Sequence, residues 1–200
     1  MTELAEGQSI PLLYTAKSRE RVVAGLSWDP RGKTSMMDRL KGDNQQYDLD
    51  ITCFVFDEYK EYIDFVGAEA QDSMDQSGAI YHSGDDMTGE GDEEDEFITV
   101  ELAGLPDDAH HIVFLVEIRS NHVFGEIPNP FVRIVDSMTH EELFKANIAE
   151  EDGKDSAAYI FARIYRDRTS KTGWSLHYIG DYPDISQIED WGKYLTRYLA

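Results

Sequence analysis

The apolar residues of this chain form short runs rich in β-branched and aromatic side chains, separated by glycine, proline and aspartate. Leu49, Ile51, Cys53 and Val55 occupy alternate positions, so they share one face of an extended segment. The pattern predicts nine short strands, at residues 21–28, 48–56, 62–66, 97–102, 111–119, 131–135, 142–148, 157–165 and 174–179. No convincing helical period lies between them, and their spacing is typical of a sandwich or barrel. We therefore predict an all-β fold, a two-sheet β-sandwich with a short C-terminal α-helix.

The last seventeen residues have a different pattern. Asp184 follows Pro183 and begins a capping-box-like segment, after which apolar residues recur at helical spacing. These positions are Ile188, Trp191, Leu195 and Leu199, with Tyr194 and Tyr198 beside them. We predict a sandwich domain over residues 1–183 and an appended amphipathic helix over residues 184–200. We expect the helix to pack on the sandwich, and the alternative is an exposed helix that binds a partner.

Charge and composition narrow the classes of function. The formal net charge is −22, which argues against nucleic acid as a partner, because phosphate contacts need lysine and arginine. The single cysteine, Cys53, lies in an apolar run and is typical of a core residue. The N-terminal residues are polar and acidic, and no apolar run approaches the roughly 18 residues needed to span a bilayer. We expect a cytoplasmic location.

One segment concentrates the negative charge. Eight of the twelve residues from Asp85 to Glu96 are acidic, and none is basic. A solvated surface is the simplest explanation of an acidic run, but Gly84, Gly89 and Gly91 favour a cation site, because glycines permit the sharp turns that bring oxygen atoms together. Carboxylates and backbone carbonyls are ligands of calcium, whereas no local group of cysteine and histidine suggests zinc. The twelve-residue spacing mimics an EF-hand, but positions three, five and six do not match, and strands flank the segment.

A second acidic element precedes a predicted strand. Asp48 and Asp50 lie on one face, opposite Leu49, and aspartate is disfavoured inside strands. We therefore predict that this pair joins the acidic segment in binding one or two calcium ions, with Asp29 as a lesser candidate. The predicted metal ligands are Asp48, Asp50, Asp85, Asp86, Gly89, Glu90, Gly91, Asp92, Asp95 and Glu96, the two glycines through their carbonyls. His82 adjoins the segment and is a candidate to position one carboxylate.

These elements together resemble the TerD family of tellurium-resistance and stress-response proteins. The matching motifs are Gly25-Leu26-Ser27-Trp28-Asp29, Asp48-Leu49-Asp50 and His82-Ser83-Gly84-Asp85-Asp86-Met87-Thr88-Gly89-Glu90-Gly91. The sequence departs from the usual family motifs at four positions, which indicates a divergent member. These positions are Ser27, Asp86, Glu93 and Glu94. The resemblance implies a β-sandwich with calcium sites at one end and a part in resistance to tellurite and other stresses.

Several functions remain open at this point. We predict a protein that is not an enzyme, a calcium-dependent binding or scaffold module with a protein partner of unknown identity. One alternative is a calcium-dependent module that binds a membrane surface, although Met87 is the one apolar residue near the site that supports it. A second is a metal-dependent hydrolase, although the histidines occur in no nucleophile motif. The segment from Ser27 to Thr34 mimics a phosphate-binding loop, but it lacks the first glycine and the strand-to-helix context.

Overall fold

Two antiparallel sheets face each other in this protein, as the alternating pattern predicts. The structure is a computed structural model that describes residues 4–12, 21–32, 46–89, 94–170 and 173–200. The six-stranded sheet has the order β1-β11-β10-β7-β3-β4, and the five-stranded sheet has the order β5-β6-β2-β8-β9. The strands are β1 (Ser9–Pro11), β2 (Arg21–Ser27), β3 (Leu49–Phe56), β4 (Tyr62–Val66), β5 (Ile80–His82), β6 (Glu96–Glu101), β7 (His111–Ile118), β8 (Phe131–Asp136), β9 (Glu142–Asn147), β10 (Ala158–Arg166) and β11 (Trp174–Asp181).

The core lies between the two sheets. The alternating residues of β3, from Leu49 to Val55, are buried there, and Ile112, Phe114 and Val116 of β7 point into the same layer. Burial of apolar side chains at about 25 cal/mol per Å² is the main favourable contribution to such a fold. All nine predicted strands are present, with bounds that differ by at most two residues. The fold class is therefore confirmed.

The C-terminal segment crosses the outer face of the six-stranded sheet. Asp184 caps a 3-10 turn over Ile185–Gln187, so the α-helix α1 (Trp191–Leu195) begins later than Asp184. The Asp190 carboxylate accepts the N–H of Lys193 and caps α1. Leu195 and Leu199 form a second apolar cluster with Phe56, Val113, Leu115, Ile160 and Ile179.

The helices of this protein are short. Within the described ranges, α1 has five residues and the 3-10 turns have three residues each. No helix in this part of the chain combines the length and the apolar character needed to cross a bilayer. Residues 33–45, which belong to the polar connection between β2 and β3, lie outside the described ranges.

Candidate metal centre

Three aspartates meet at one end of the sandwich. Asp48 immediately precedes β3 and Asp50 is its second residue, so both carboxylates lie on the outer face of the six-stranded sheet. Asp85 reaches them from the connection between β5 and β6. One carboxylate oxygen of each aspartate lies within 4.8 Å of the others. The structure thus brings the two acidic elements of the sequence together at this point.

The carboxylates of this trio interact unfavourably with one another. Burial, followed by the negative charge of Glu96, raises the pKa of Asp50 to about 7. Burial also raises the pKa of Asp48, to which Asp85 and Glu96 contribute. A cation at this place would favour the ionised form of both aspartates, so the metal-free centre carries an electrostatic cost that a bound metal removes.

Arg119 supplies the positive charge that the structure places against this trio. Its Nε atom lies 3.0 Å from Oδ2 of Asp50, and its backbone N–H donates to the carbonyl of Asp48 at 2.8 Å. It directly follows β7, which is the antiparallel neighbour of β3. Reasoning from sequence missed this contact, because the pairing of β3 with β7 has no local signal in the chain.

Glu96 joins the acidic connection to β3. It is completely buried, and its Oε2 accepts the N–H of Ile51 at 3.0 Å while its Oε1 accepts the N–H of Asp86 at 3.0 Å. The pairing of β4 with β3 begins only at Cys53, which leaves the backbone N–H of Ile51 without a strand partner on that side. The Glu96 carboxylate takes the place of that missing strand.

His82 stands beside Glu96 and is 8% exposed. Its Nδ1 accepts the N–H of Gly84 at 2.9 Å, which places the ring proton of a neutral imidazole on Nε2. That Nε2 lies 3.3 Å from Oε2 of Glu96 without forming a regular hydrogen bond to it. The histidine therefore lies in contact with the carboxylate that fixes the connection, and its hydrogen bond is to Gly84.

Asp86 shapes the first turn of the acidic segment. Its Oδ1 accepts three hydrogen bonds, from the N–H of Thr88 at 2.7 Å, its hydroxyl at 2.9 Å and the N–H of Gly89 at 3.0 Å. Gly89 has a φ of +66° and lies against the indole of Trp28, where a Cβ atom would approach Nε1 to 2.5 Å. The left-handed conformation and the close approach both require glycine at this position.

Two other candidate aspartates make contacts away from the trio. Oδ2 of Asp95 accepts the N–H of Trp28 at 2.8 Å, next to the end of β2. Oδ2 of Asp29 accepts the side-chain N–H of Asn129 at 2.6 Å. Glu90, Gly91 and Asp92 lie outside the described residues, so the full ligand set stays a prediction.

The three carboxylates are placed so that they could hold a metal ion. Three carboxylate oxygens are hard ligands, and calcium takes six to eight oxygens at about 2.3–2.6 Å, including carbonyls and water. The half-buried Asp48 and Asp50 and the exposed Asp85 give a site that opens to solvent on one side. Zinc prefers nitrogen and sulfur ligands, which are absent from this described group.

Comparisons with known proteins relate this chain to one family. The family model described as TerD domain matches residues 1–184. The tellurium resistance protein TerZ of Serratia marcescens is 34% identical over 151 residues, which cover 76% of this chain and 77% of that protein. The stress response protein SCP2 of Bacillus subtilis (strain 168) is 30% identical over an alignment of 207 positions, which covers 98% of each chain.

A solved structure shows the same fold. It is the crystal structure of a homologue of the telluride resistance protein TerD from Streptomyces coelicolor A3(2), with a TM-score of 0.65 and 22% sequence identity. The match covers 82% of this chain and 90% of that one. At this identity, the similarity concerns the arrangement of the strands.

Proposed function

Because this chain belongs to the TerD family of tellurium-resistance and stress-response proteins, we propose that it is a calcium-binding protein without enzymatic activity. The observation that carries the proposal is the convergence of Asp48, Asp50 and Asp85 from two separate elements. One or two calcium ions bind there, with further oxygen ligands from the acidic segment that begins at Asp85.

Calcium acts on the connection between β5 and β6. Asp85 belongs to that connection and Asp50 to β3, so an ion held by both carboxylates joins the connection to the other sheet. The existing links of Glu96 to Ile51 and Asp86 already hold the base of the connection in register. A bound ion adds a link at its outer part and stabilises the folded state, because the unfolded chain lacks the site.

The biological role we propose is calcium-dependent binding of a protein partner in the cytoplasm. The exposed part of the centre supports this role, because Asp85 and the 58% exposed Met87 lie where calcium would order the surface. A membrane surface is the second candidate ligand, and the exposed side chain of Met87 is the observation that favours it.

The experiment is calorimetry and thermal unfolding with calcium on three proteins, the parent chain, Asp50→Asn and Asp85→Asn. We expect heat of binding in the parent and a rise in its unfolding temperature. At a hundredfold excess of calcium over Kd, the stabilisation amounts to about 2.7 kcal/mol. Each substitution lowers the affinity about tenfold or more, because each removes a charged ligand.

The matched control is Asp107→Asn, which removes an exposed carboxylate outside the centre. It should bind calcium as the parent does. Absence of heat and of any change in unfolding temperature in the parent would overturn the calcium proposal. Co-sedimentation with anionic vesicles in calcium or chelator separates the membrane role from the protein-partner role, and a phosphoester and glycoside screen tests for hydrolysis.

A further inference from the structure

An open cavity lies between the edge strand β4 and the helix α1, on the outer face of the six-stranded sheet. Its volume is about 630 Å³, and sites for small ligands have volumes of about 300–1,000 Å³. The cavity is separate from the acidic centre. Phe54, which lines it, lies four residues beyond Asp50 on β3, a distance of about 13 Å along the strand.

Four aromatic side chains form the walls of this cavity, namely Phe54, Tyr62, Phe65 and Trp191. The ring centres of Phe54 and Tyr62 are 6.1 Å apart, and those of Phe54 and Phe65 are 5.7 Å apart. Trp191 belongs to α1, and its indole N–H donates to Glu117 at 3.1 Å, which fixes the ring. Aromatic rings from the sheet and from the helix therefore bound the same space.

Acidic side chains make the electrostatic field at these rings negative. Burial, followed by the charges of Asp64, Asp72 and Asp190, raises the pKa of Tyr62. Asp190 also lines the cavity, together with the exposed Glu61. The net charge of −22 adds an attraction for cations over the whole molecule. The cavity thus combines aromatic walls with a field that favours positive charge.

Two lysines, Lys60 and Lys193, share the lining. Both residues are exposed, so their long side chains place apolar stems along the cavity and carry the ammonium groups into water. They also reveal the sign of a ligand's charge. Neutralising one of them should strengthen the binding of a cation and weaken the binding of an anion.

We propose that this cavity binds a small free molecule that carries a methylated ammonium group. The methyl groups present an apolar surface to the aromatic walls, while the positive charge is attracted to the ring faces and to the carboxylates of Glu61 and Asp190. An unmethylated ammonium is strongly hydrated and loses more of its hydration on entering such a cavity. An uncharged ligand gains the apolar contact alone.

The test compares choline with its uncharged carbon analogue, 3,3-dimethylbutan-1-ol, which has the same shape but no positive charge to interact with the rings. Both are titrated at pH 7 in chelator, with ionic strength held constant by sodium chloride, so that the result is independent of calcium. NMR follows the indole N–H signals of the tryptophans. We expect choline to shift the Trp191 signal saturably and to leave those of the buried Trp28 and Trp174 in place.

The uncharged analogue should have a Kd about tenfold higher than choline or more. Equal affinities of the two compounds in the parent chain would show a merely apolar cavity and would overturn the proposal, as would an unmoved Trp191 signal. Co-sedimentation with phosphatidylcholine vesicles in chelator, reversed by choline, would assign the cavity to a lipid head group and overturn its assignment to a free small molecule.

Variants of the lining test the two contributions separately. Tyr62→Leu removes a ring that is 49% exposed and should raise the Kd for choline about threefold or more. The matched control is Tyr59→Leu, in the same hairpin, whose side chain is 76% exposed and does not line the cavity. Glu61→Gln should weaken the binding of choline and Lys193→Gln should strengthen it. The reverse order of these two variants would overturn the assignment of a cationic ligand.

Discussion

Among single residues, Asp50 makes the free energy of unfolding depend on pH. Its pKa is about 7 in the folded protein, raised by burial and then by Glu96, against 3.8 for an ordinary aspartate. Between these values the folded state holds a proton that the unfolded state has lost. The free energy of unfolding of the metal-free protein therefore falls as pH rises through this window, and the loss is complete above about pH 7.

Asp50→Asn should remove this part of the pH dependence. In chelator, we expect the variant to gain stability relative to the parent as pH rises from 4.5 to 7.5, because asparagine carries no charge to bury. Urea unfolding at each pH measures the difference. At pH 7.5, the same concentration of calcium should stabilise the variant less than the parent, because the variant has the lower affinity. A constant difference between the two proteins over the whole pH range would contradict the assignment.

Arg119 is expected to weaken the proposed binding of calcium at the centre. Its Nε lies 3.0 Å from Asp50, and this contact competes with a metal for the same carboxylate. Exposed ion pairs contribute about 0.2–1 kcal/mol, and the positive charge also repels the ion, so Arg119→Gln should tighten calcium binding by roughly twofold to tenfold. Calorimetry gives the two dissociation constants. Arg21→Gln, which breaks the ion pair with Glu101 elsewhere on the molecule, is the control and should leave the affinity unchanged.

The sequence indicates where acidic residues gather but not how each one is used. Its pattern predicts that Asp48 and Asp50 join Asp85, and the structure brings the three together. Asp86 and Glu96, by contrast, use their oxygens to accept backbone N–H bonds, which depend on the loop conformation and on the neighbouring sheet. No residue pattern in the acidic segment reveals those partners, because aspartate and glutamate serve both purposes with the same side chains.

At the scale of elements, the connection between β5 and β6 depends on Gly89. Alanine there would place a Cβ atom 2.5 Å from the Trp28 indole in a backbone with a φ of +66°. We expect Gly89→Ala to lower the free energy of unfolding by about 1–3 kcal/mol and to weaken calcium binding. Gly84→Ala is the matched control, since Gly84 also has a positive φ but open space around it. Equal losses in both variants would show that the contact with Trp28 is unimportant.

The longer strands were predictable because alternation over five or more residues specifies both the strand and its buried face. β3 illustrates this, with its core positions from Leu49 to Val55. The two strands that the pattern missed, β1 and β5, have three residues each, which is too few to establish a period. They form through pairing with β11 and β6. These pairings join separate segments of the chain, so the composition of each short segment does not predict them.

At the scale of the whole molecule, the C-terminal segment makes the six-stranded sheet a layer that is covered on both faces. The core covers one face, and α1 with the residues after it covers part of the other, where Phe56 and Val113 lie. Trp191 adds a polar link, because its indole N–H donates to Glu117 at 3.1 Å. The helix packs on the sandwich, as the sequence analysis expects, and these contacts predict that the two depend energetically on each other.

Leu195→Ala tests this dependence. Leu195 is fully buried, and its replacement leaves a cavity between α1 and the sheet, for which we expect a loss of about 2–5 kcal/mol in the free energy of unfolding. Urea unfolding followed by circular dichroism and by tryptophan fluorescence should show one coincident transition at a lower midpoint, because the helix and the sheet unfold together. Lys193→Ala, on the exposed side of the same helix, should leave the midpoint nearly unchanged. If the main transition of Leu195→Ala stays at the parent midpoint while only helical signal is lost, the helix is an independent appendage and the sandwich is stable without it.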